Sequence, residues 1–174
     1  MARSDQSEPI HHGQLSIREA TDADSAAVIA LIDACFRRYD GCVMDLPGLD
    51  CDLPAVATHF ARRGGRFWVL EDNSATILGC VGYEPKADGV IELKRLYVDP
   101  AARRQGIASR LYAQLREVAR ARAARAIELW SDTRFNEAHA FYLAHGFRQT
   151  GQTRRLNDPS NTTEYQFRLD LPCR

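Results

Sequence analysis

Two short apolar runs, Val90 to Val98 and Ala126 to Ser131, bracket a stretch whose apolar residues return every three or four positions. Ile107, Leu111, Leu115 and Val118 stand at i, i+4, i+8 and i+11, which places them in one stripe of a helix from about Ile107 to Ala123. A strand, a helix with one apolar stripe and a second strand can bury that stripe only as a parallel strand pair with a right-handed crossover. Whatever else the chain does, this unit sits at its centre.

The remaining elements assemble around it. Leu15 to Glu19 alternates as a half-buried strand does, and Thr21-Asp22 offers a cap for a helix ending near Arg38 to Asp40. GCVMDLPGLD reads as a loop, and a second helix, about Leu53 to Arg63, stops at Gly64-Gly65. Arg66 to Glu71 and Ala75 to Tyr83 form strands around the turn at Asp72-Asn73-Ser74. A short helix, Glu137 to Ala144, closes at His145-Gly146, and strands at about Phe147 to Arg154 and Thr162 to Leu171 follow. The predicted order is β-α-α-β-β-β-α-β-α-β-β. It describes one α/β (α+β) domain with a mixed, mostly antiparallel sheet and about four flanking helices, spanning 14–174 behind a polar tail at 1–13.

Composition narrows the function. Acidic and basic residues number 23 each, so no global charge draws the chain to nucleic acid or an anionic membrane. Cys35, Cys42, Cys51, Cys80 and Cys173 include no CxxC pair, which argues against a zinc site or disulfide framework and fits a reducing cytoplasm. No apolar run approaches the roughly 20 residues of a membrane span, and His139 and His145 are not spaced to share a metal. The expectation is a cytoplasmic protein with no metal, nucleic-acid partner or membrane association.

Chemistry enters at VDPAARRQGIASRL, where a strand ends at Pro100 and the central helix begins just after Gly106. A helix N-terminus offers free N–H groups and a positive dipole end, both suited to anions. Gly106 allows close approach of a ligand to the backbone, and Arg103 and Arg104 add charge suited to phosphate oxygens. Neither GxxxxGK[ST] nor GxGxxG is present, so the usual nucleotide loops do not account for the site.

Arg103-x-x-Gly106-x-Ala108, placed after LYVDP, resembles motif A of the GNAT superfamily of N-acetyltransferases, whose pattern is Q/R-x-x-G-x-G/A. NEAHAFYLAHGF resembles a later helix of that family, through Tyr142, Gly146 and Phe147. The likeness spans about Ile77 to Phe147. It implies a splayed parallel strand pair whose slot takes the pantetheine arm of acetyl-CoA as co-substrate. The N–H groups of Arg103, Arg104, Gln105, Gly106, Ile107 and Ala108 would hold the pyrophosphate, and the edge of Leu96, Tyr97 and Val98 would pair with the pantetheine amides. Asn136 stands one step from the family's cofactor-contacting asparagine, and Ala108 replaces the commoner second glycine.

The resemblance implies acetyl transfer to a primary amine, on a small molecule or a peptide, by direct attack in a ternary complex. Tyr142 would protonate the leaving thiolate. Glu92 is the leading base, with Glu128 or a water wire as alternatives, and an N–H near Leu96 or Tyr97 would hold the oxyanion. The acceptor would lie among Tyr39, Asp40, Met44, Asp45 and Asp50, opposite Arg154, Arg155 and Asn157. The family also pairs into homodimers, a state open to this chain. A non-catalytic acyl-CoA sensor is the alternative; it would keep the cradle and need neither acid nor base.

Overall fold

The computed structural model describes residues 15–172. The predicted tail, with His11 and His12, and the C-terminal Cys173 lie outside the described residues. In chain order the elements are β1 (Ser16–Glu19), α1 (Ser25–Phe36), α2 (Val56–Arg62), β2 (Arg66–Glu71), β3 (Ile77–Pro85), β4 (Val90–Val98), α3 (Ile107–Ala121), β5 (Ala126–Asp132), α4 (Asn136–Ala144), β6 (Arg148–Arg155) and β7 (Thr163–Asp170). The predicted order is the observed one. The largest displacements fall at the helix ends flanking the loop 37–55, where α1 stops at Phe36 and α2 starts at Val56. That loop is held by tertiary contacts, described below, which no local signal announces.

The seven strands run β1-β2-β3-β4-β5-β7-β6 across one sheet. Every neighbouring pair is antiparallel except β4 and β5, the parallel pair that α3 connects. Alternation along each strand sends side chains to two layers. Trp68, Leu70, Val81, Ile91, Leu93, Ile127 and Leu129 pack beneath α3 and α4, whereas Phe67, Val69, Ile77 and Cys80 pack beneath α1 and α2. Ile107, Leu111, Leu115 and Ala119 form the buried stripe of α3, joined by Tyr112; Val118 is only half-buried. Gly79 allows the stripe its close approach, since a Cβ there would come within 2.8 Å of Ile107 and Leu111.

β4 and β5 are paired only at Val90/Ala126, Ile91/Ile127 and Glu92/Glu128. Beyond that point β5 stays with β7 as far as Asp132, and β4 stays with β3 as far as Val98. A bulge turns β4 away: Val81 of β3 faces two residues, Arg95 and Leu96, because Cys80 pairs with Tyr97 and Gly82 with Lys94. Arg95 takes a left-handed φ of 56°, uncommon for a residue with a Cβ. The strands therefore part as the resemblance implied.

Leu111 is fully buried at the middle of the α3 stripe. Leu111→Ala should cost about 2–5 kcal/mol of unfolding free energy, read as a fall in the urea midpoint at unchanged slope.

Candidate functional site: a cleft between the splayed strands

The cleft entered between β4 and β5 is continuous, about 880 Å³ in volume, and reaches from the start of α3 to the loop between β6 and β7. Its first end is built from the segment after β4. Asp99 caps a short turn by accepting from the Ala101 N–H at 2.7 Å. The chain then passes through Arg103 at φ −66°, Arg104 at +63° and Gly106 at +74° before α3 begins. Arg103 is extended, and the left-handed Arg104 and Gly106 lie in the turn that follows, a backbone form in which successive N–H groups can face one concavity as an anion nest. Among the described residues, none of the N–H groups from Arg103 to Ala108 makes a hydrogen bond to a protein acceptor. They stand at the positive end of the helix dipole.

Of the residues named from the sequence, Leu96, Tyr97, Val98, Arg103, Arg104, Ala108, Glu92 and Tyr142 line this one cleft. Gln105 and Gly106 lie in the nest backbone, and the Ile107 side chain is core. Asn136 is exposed and stands outside the lining. Its neighbour Glu137 takes the cleft-facing position and pairs with Arg103, with Arg38 at 3.6 Å. The one-residue offset seen in the sequence thus has a physical meaning: helix phase carries Glu137 to the slot and Asn136 away from it.

Tyr142 of α4 is 5% exposed and packed by Phe141, Phe147 and Phe167. Burial pushes its phenol pKa well above the usual range, so the hydroxyl keeps its proton at neutral pH. Tyr97 projects to the α1 side against Phe36 and is shifted the same way by burial. Cys35 donates its S–H to the Val98 carbonyl at 3.3 Å, tying α1 to the end of β4.

The middle of the cleft is charged and compensated. Glu84, Glu92 and Glu128 lie abreast on β3, β4 and β5. Glu92 meets Lys86 at 2.5 Å and Lys94 at 3.6 Å, and Glu128 meets Arg168. Glu128 is outside the cleft lining. Glu164 of β7, unremarked in the sequence, does line it; burial raises its carboxyl pKa against the opposing pull of Arg154, 2.5 Å away. Of the acceptor candidates, Tyr39, Asp45, Asp50 and Arg154 face the cleft, and Asp40, Met44, Arg155 and Asn157 do not.

Arg95 is the other residue sequence reasoning missed. It donates to Asp50 at 2.7 Å, to Asp52 at 2.6 and 2.9 Å, and to the Leu49 carbonyl at 3.2 Å. Burial works against its charge, but the carboxylates outweigh it and its pKa stands above the usual range. Its signal lies in a backbone angle and in partners more than 40 residues away, neither of which is visible in a linear reading.

The profile of the acetyltransferase (GNAT) domain family matches residues 63–149. The chain belongs to the GNAT acetyltransferase family. It is 35% identical over 101 residues to N-acetyltransferase 8 of Homo sapiens, a match covering 55% of this chain and 44% of that protein. The chain spans about half the length of the curated relatives it matches. A GNAT-family acetyltransferase from Staphylococcus aureus Mu50 shares the fold at a TM-score of 0.79 and 21% identity, with 91% of this chain and 100% of that one covered. YncA of Salmonella typhimurium, solved with its cofactor acetyl-CoA, superposes at a TM-score of 0.68 with 19% identity, over 91% of this chain and 94% of that one. In this GNAT domain no group of metal-ligating side chains is assembled among the described residues, and no described helix is long and apolar enough to cross a membrane.

Asp50 and Asp52 are 5% and 7% exposed, so removing their arginine leaves two buried charges uncompensated. Arg95→Ala should lower stability by about 3–5 kcal/mol, measured by chemical denaturation, and Arg95→Lys should recover part of it.

Proposed function

We propose that this GNAT domain transfers an acetyl group from acetyl-CoA to a primary amine. The observation that carries this reading is the run of free N–H groups from Arg103 to Ala108 opening into the slot between β4 and β5. A pyrophosphate in the nest would accept those hydrogen bonds, with Arg103 and Arg104 adding charge. The pantetheine arm would then lie along the freed edge of Leu96 to Val98. The bound acetyl-CoA of the Salmonella neighbour supports the same ligand class here.

Acetyl-CoA would supply an activated thioester. The chain's part is to hold the thioester carbonyl beside the amine and to manage two protons. The amine nitrogen attacks the carbonyl carbon, the C–N bond forms, and the C–S bond breaks with the electron pair going to sulfur. Tyr142, which lines the cleft and is protonated at neutral pH, donates to that sulfur. The proton lost by the amine passes to a carboxylate. Glu92 is the proposed base, because it faces the cleft from β4 at the point where the strands part. Glu164 is a second reading, favoured by its raised pKa, which brings a carboxylate nearer the range a base needs.

Incubation with acetyl-CoA and a library of primary amines, read as CoA thiol release and acetylated product by mass spectrometry, tests the activity. CoA binding without thiol release from any amine would identify a sensor instead. Tyr142→Phe should lower kcat by about a hundredfold or more while CoA affinity, read by calorimetry, stays nearly constant.

The two bases differ in pH behaviour. A base must be deprotonated, so activity falls on the acid side of its pKa, and a raised pKa moves that limb upward. If Glu92 is the base, Glu92→Gln removes the acid limb of kcat/KM and Glu164→Gln leaves it; the opposite pattern assigns the role to Glu164.

A further inference from the structure

The acceptor end of the cleft is bridged. The strap between α1 and α2, residues 37–55, leaves α1 on one side of the slot and reaches the β6–β7 loop on the other. The Val43 N–H donates to Ser160 Oγ at 2.9 Å, and the Ser160 hydroxyl donates back to the Val43 carbonyl at 3.2 Å. Ser160 is 8% exposed. Both main-chain polar groups of Val43 are thereby occupied, so an extended peptide cannot add to the strap there by strand pairing. Arg134 holds the strap a second time, donating to the Asp40 carbonyl at 3.3 Å, and Arg95 holds it a third time through Asp50, Asp52 and Leu49. Val43 and Leu49 of the strap face the same cleft as Glu92, Lys94 and Trp130 of the sheet. The strap spans the space between them and makes it a half-enclosed chamber.

Its charge is one-sided where it is uncompensated. The cations facing this end are already engaged: Lys94 with Glu92 and Glu84, Arg63 with Glu84, Arg154 with Glu164, and Arg95 with Asp50 and Asp52. Arg154 also covers the face of Trp130 at 4.4 Å. Burial lowers the pKa of His59, which favours its neutral form. Asp45 and Asp158 line the chamber and, among the described residues, form no ion pair within 4.0 Å; their oxygens accept from Leu49, and from Thr162, in their own loops. Asp45 and Asp158 therefore face the chamber without a direct ion pair; Arg134, committed to Asp132, stands close enough to Asp158 to feel its charge, and among the described residues no cation lining this end is left unpaired. Val43 and Leu49, 48% and 44% exposed, give its roof an apolar lining.

We infer that the acceptor is a compact, free cationic amine with an apolar body, rather than the N-terminus or a lysine of a peptide chain. The inference rests on the acetyl-transfer reading and deepens it. The whole cleft of about 880 Å³ must also take the acetyl-pantetheine arm, so what remains suits a molecule of small-ligand size. A carboxylate on the acceptor would find no free cation and would meet Asp45 and Asp158.

The test compares kcat/KM at saturating acetyl-CoA for phenethylamine, for phenylalanine, and for tetrapeptides presenting a free N-terminus or a lysine. Phenethylamine should exceed phenylalanine and both peptides by about tenfold or more, since like charges in a confined site are strongly disfavoured. Ser160→Ala should loosen the strap at Val43 while Arg134 and Arg95 still hold it, raising kcat/KM for peptides and raising KM for phenethylamine with only a modest fall in melting temperature. Equal or better use of a peptide by the parent protein overturns the inference, as does preference for phenylalanine. Turnover of other amines of the library but of none of these four overturns this inference alone, whereas absence of thiol release with every amine, acetyl-CoA being bound, overturns the acetyl-transfer reading.

Discussion

The site depends on the ion pairs of one arginine in a bulged strand. Arg95 sits at a left-handed φ in the middle of β4, and its guanidinium reaches across to Asp50 and Asp52 of the strap. The bulge bends β4 from β5 after three paired residues, and the same ion pairs anchor the strap that roofs the far end of the slot. A backbone angle that would be unfavourable for an isolated arginine is held by charges that would be unfavourable without it. Slot and roof are in this sense one construction.

Around that constraint the fold divides its labour between the two faces of the sheet. The face under α3 and α4 is apolar and carries the core that fixes α3, so the nest before α3 is held at the end of a buried helix. The other face is covered by α1 and α2 chiefly over β2, β3 and β4. Beyond them, Trp130, Asp132 and Glu164 look into the cleft. Helix α4 joins the two faces: its Phe141 and Tyr142 close the slot from the core side, and its Glu137 meets Arg103 at the nest.

Residues whose role follows from neighbours in sequence were legible before any coordinates. The α3 stripe, the glycine before it and the apolar strands on either side are local patterns, and the parallel crossover follows from them. Glu137 and Glu164 were not legible in this way. Glu137 owes its place to the phase of α4 relative to the slot, and Glu164 to the antiparallel register that sets it opposite Asp132 at the cleft wall. Both are ordinary surface-type residues until the packing of another element decides which way they face. The grouping of Asp50 with Asp45 as acceptor residues was half legible: both face the cleft, but Asp50 is committed to Arg95 while Asp45 is not.

The sequence by itself determined the central strand–helix–strand unit, the glycine turn that opens its helix and the family, because each rests on spacing within a continuous stretch. Only the tertiary structure decided where β4 and β5 part, which carboxylates remain without ionic partners, and how the strap crosses the far end of the cleft. Those features depend on contacts such as Arg95 with Asp52 and Val43 with Ser160, 43 and 117 residues apart in the chain. Chain folding must close those distances before either contact has any energy, so no local pattern could carry them.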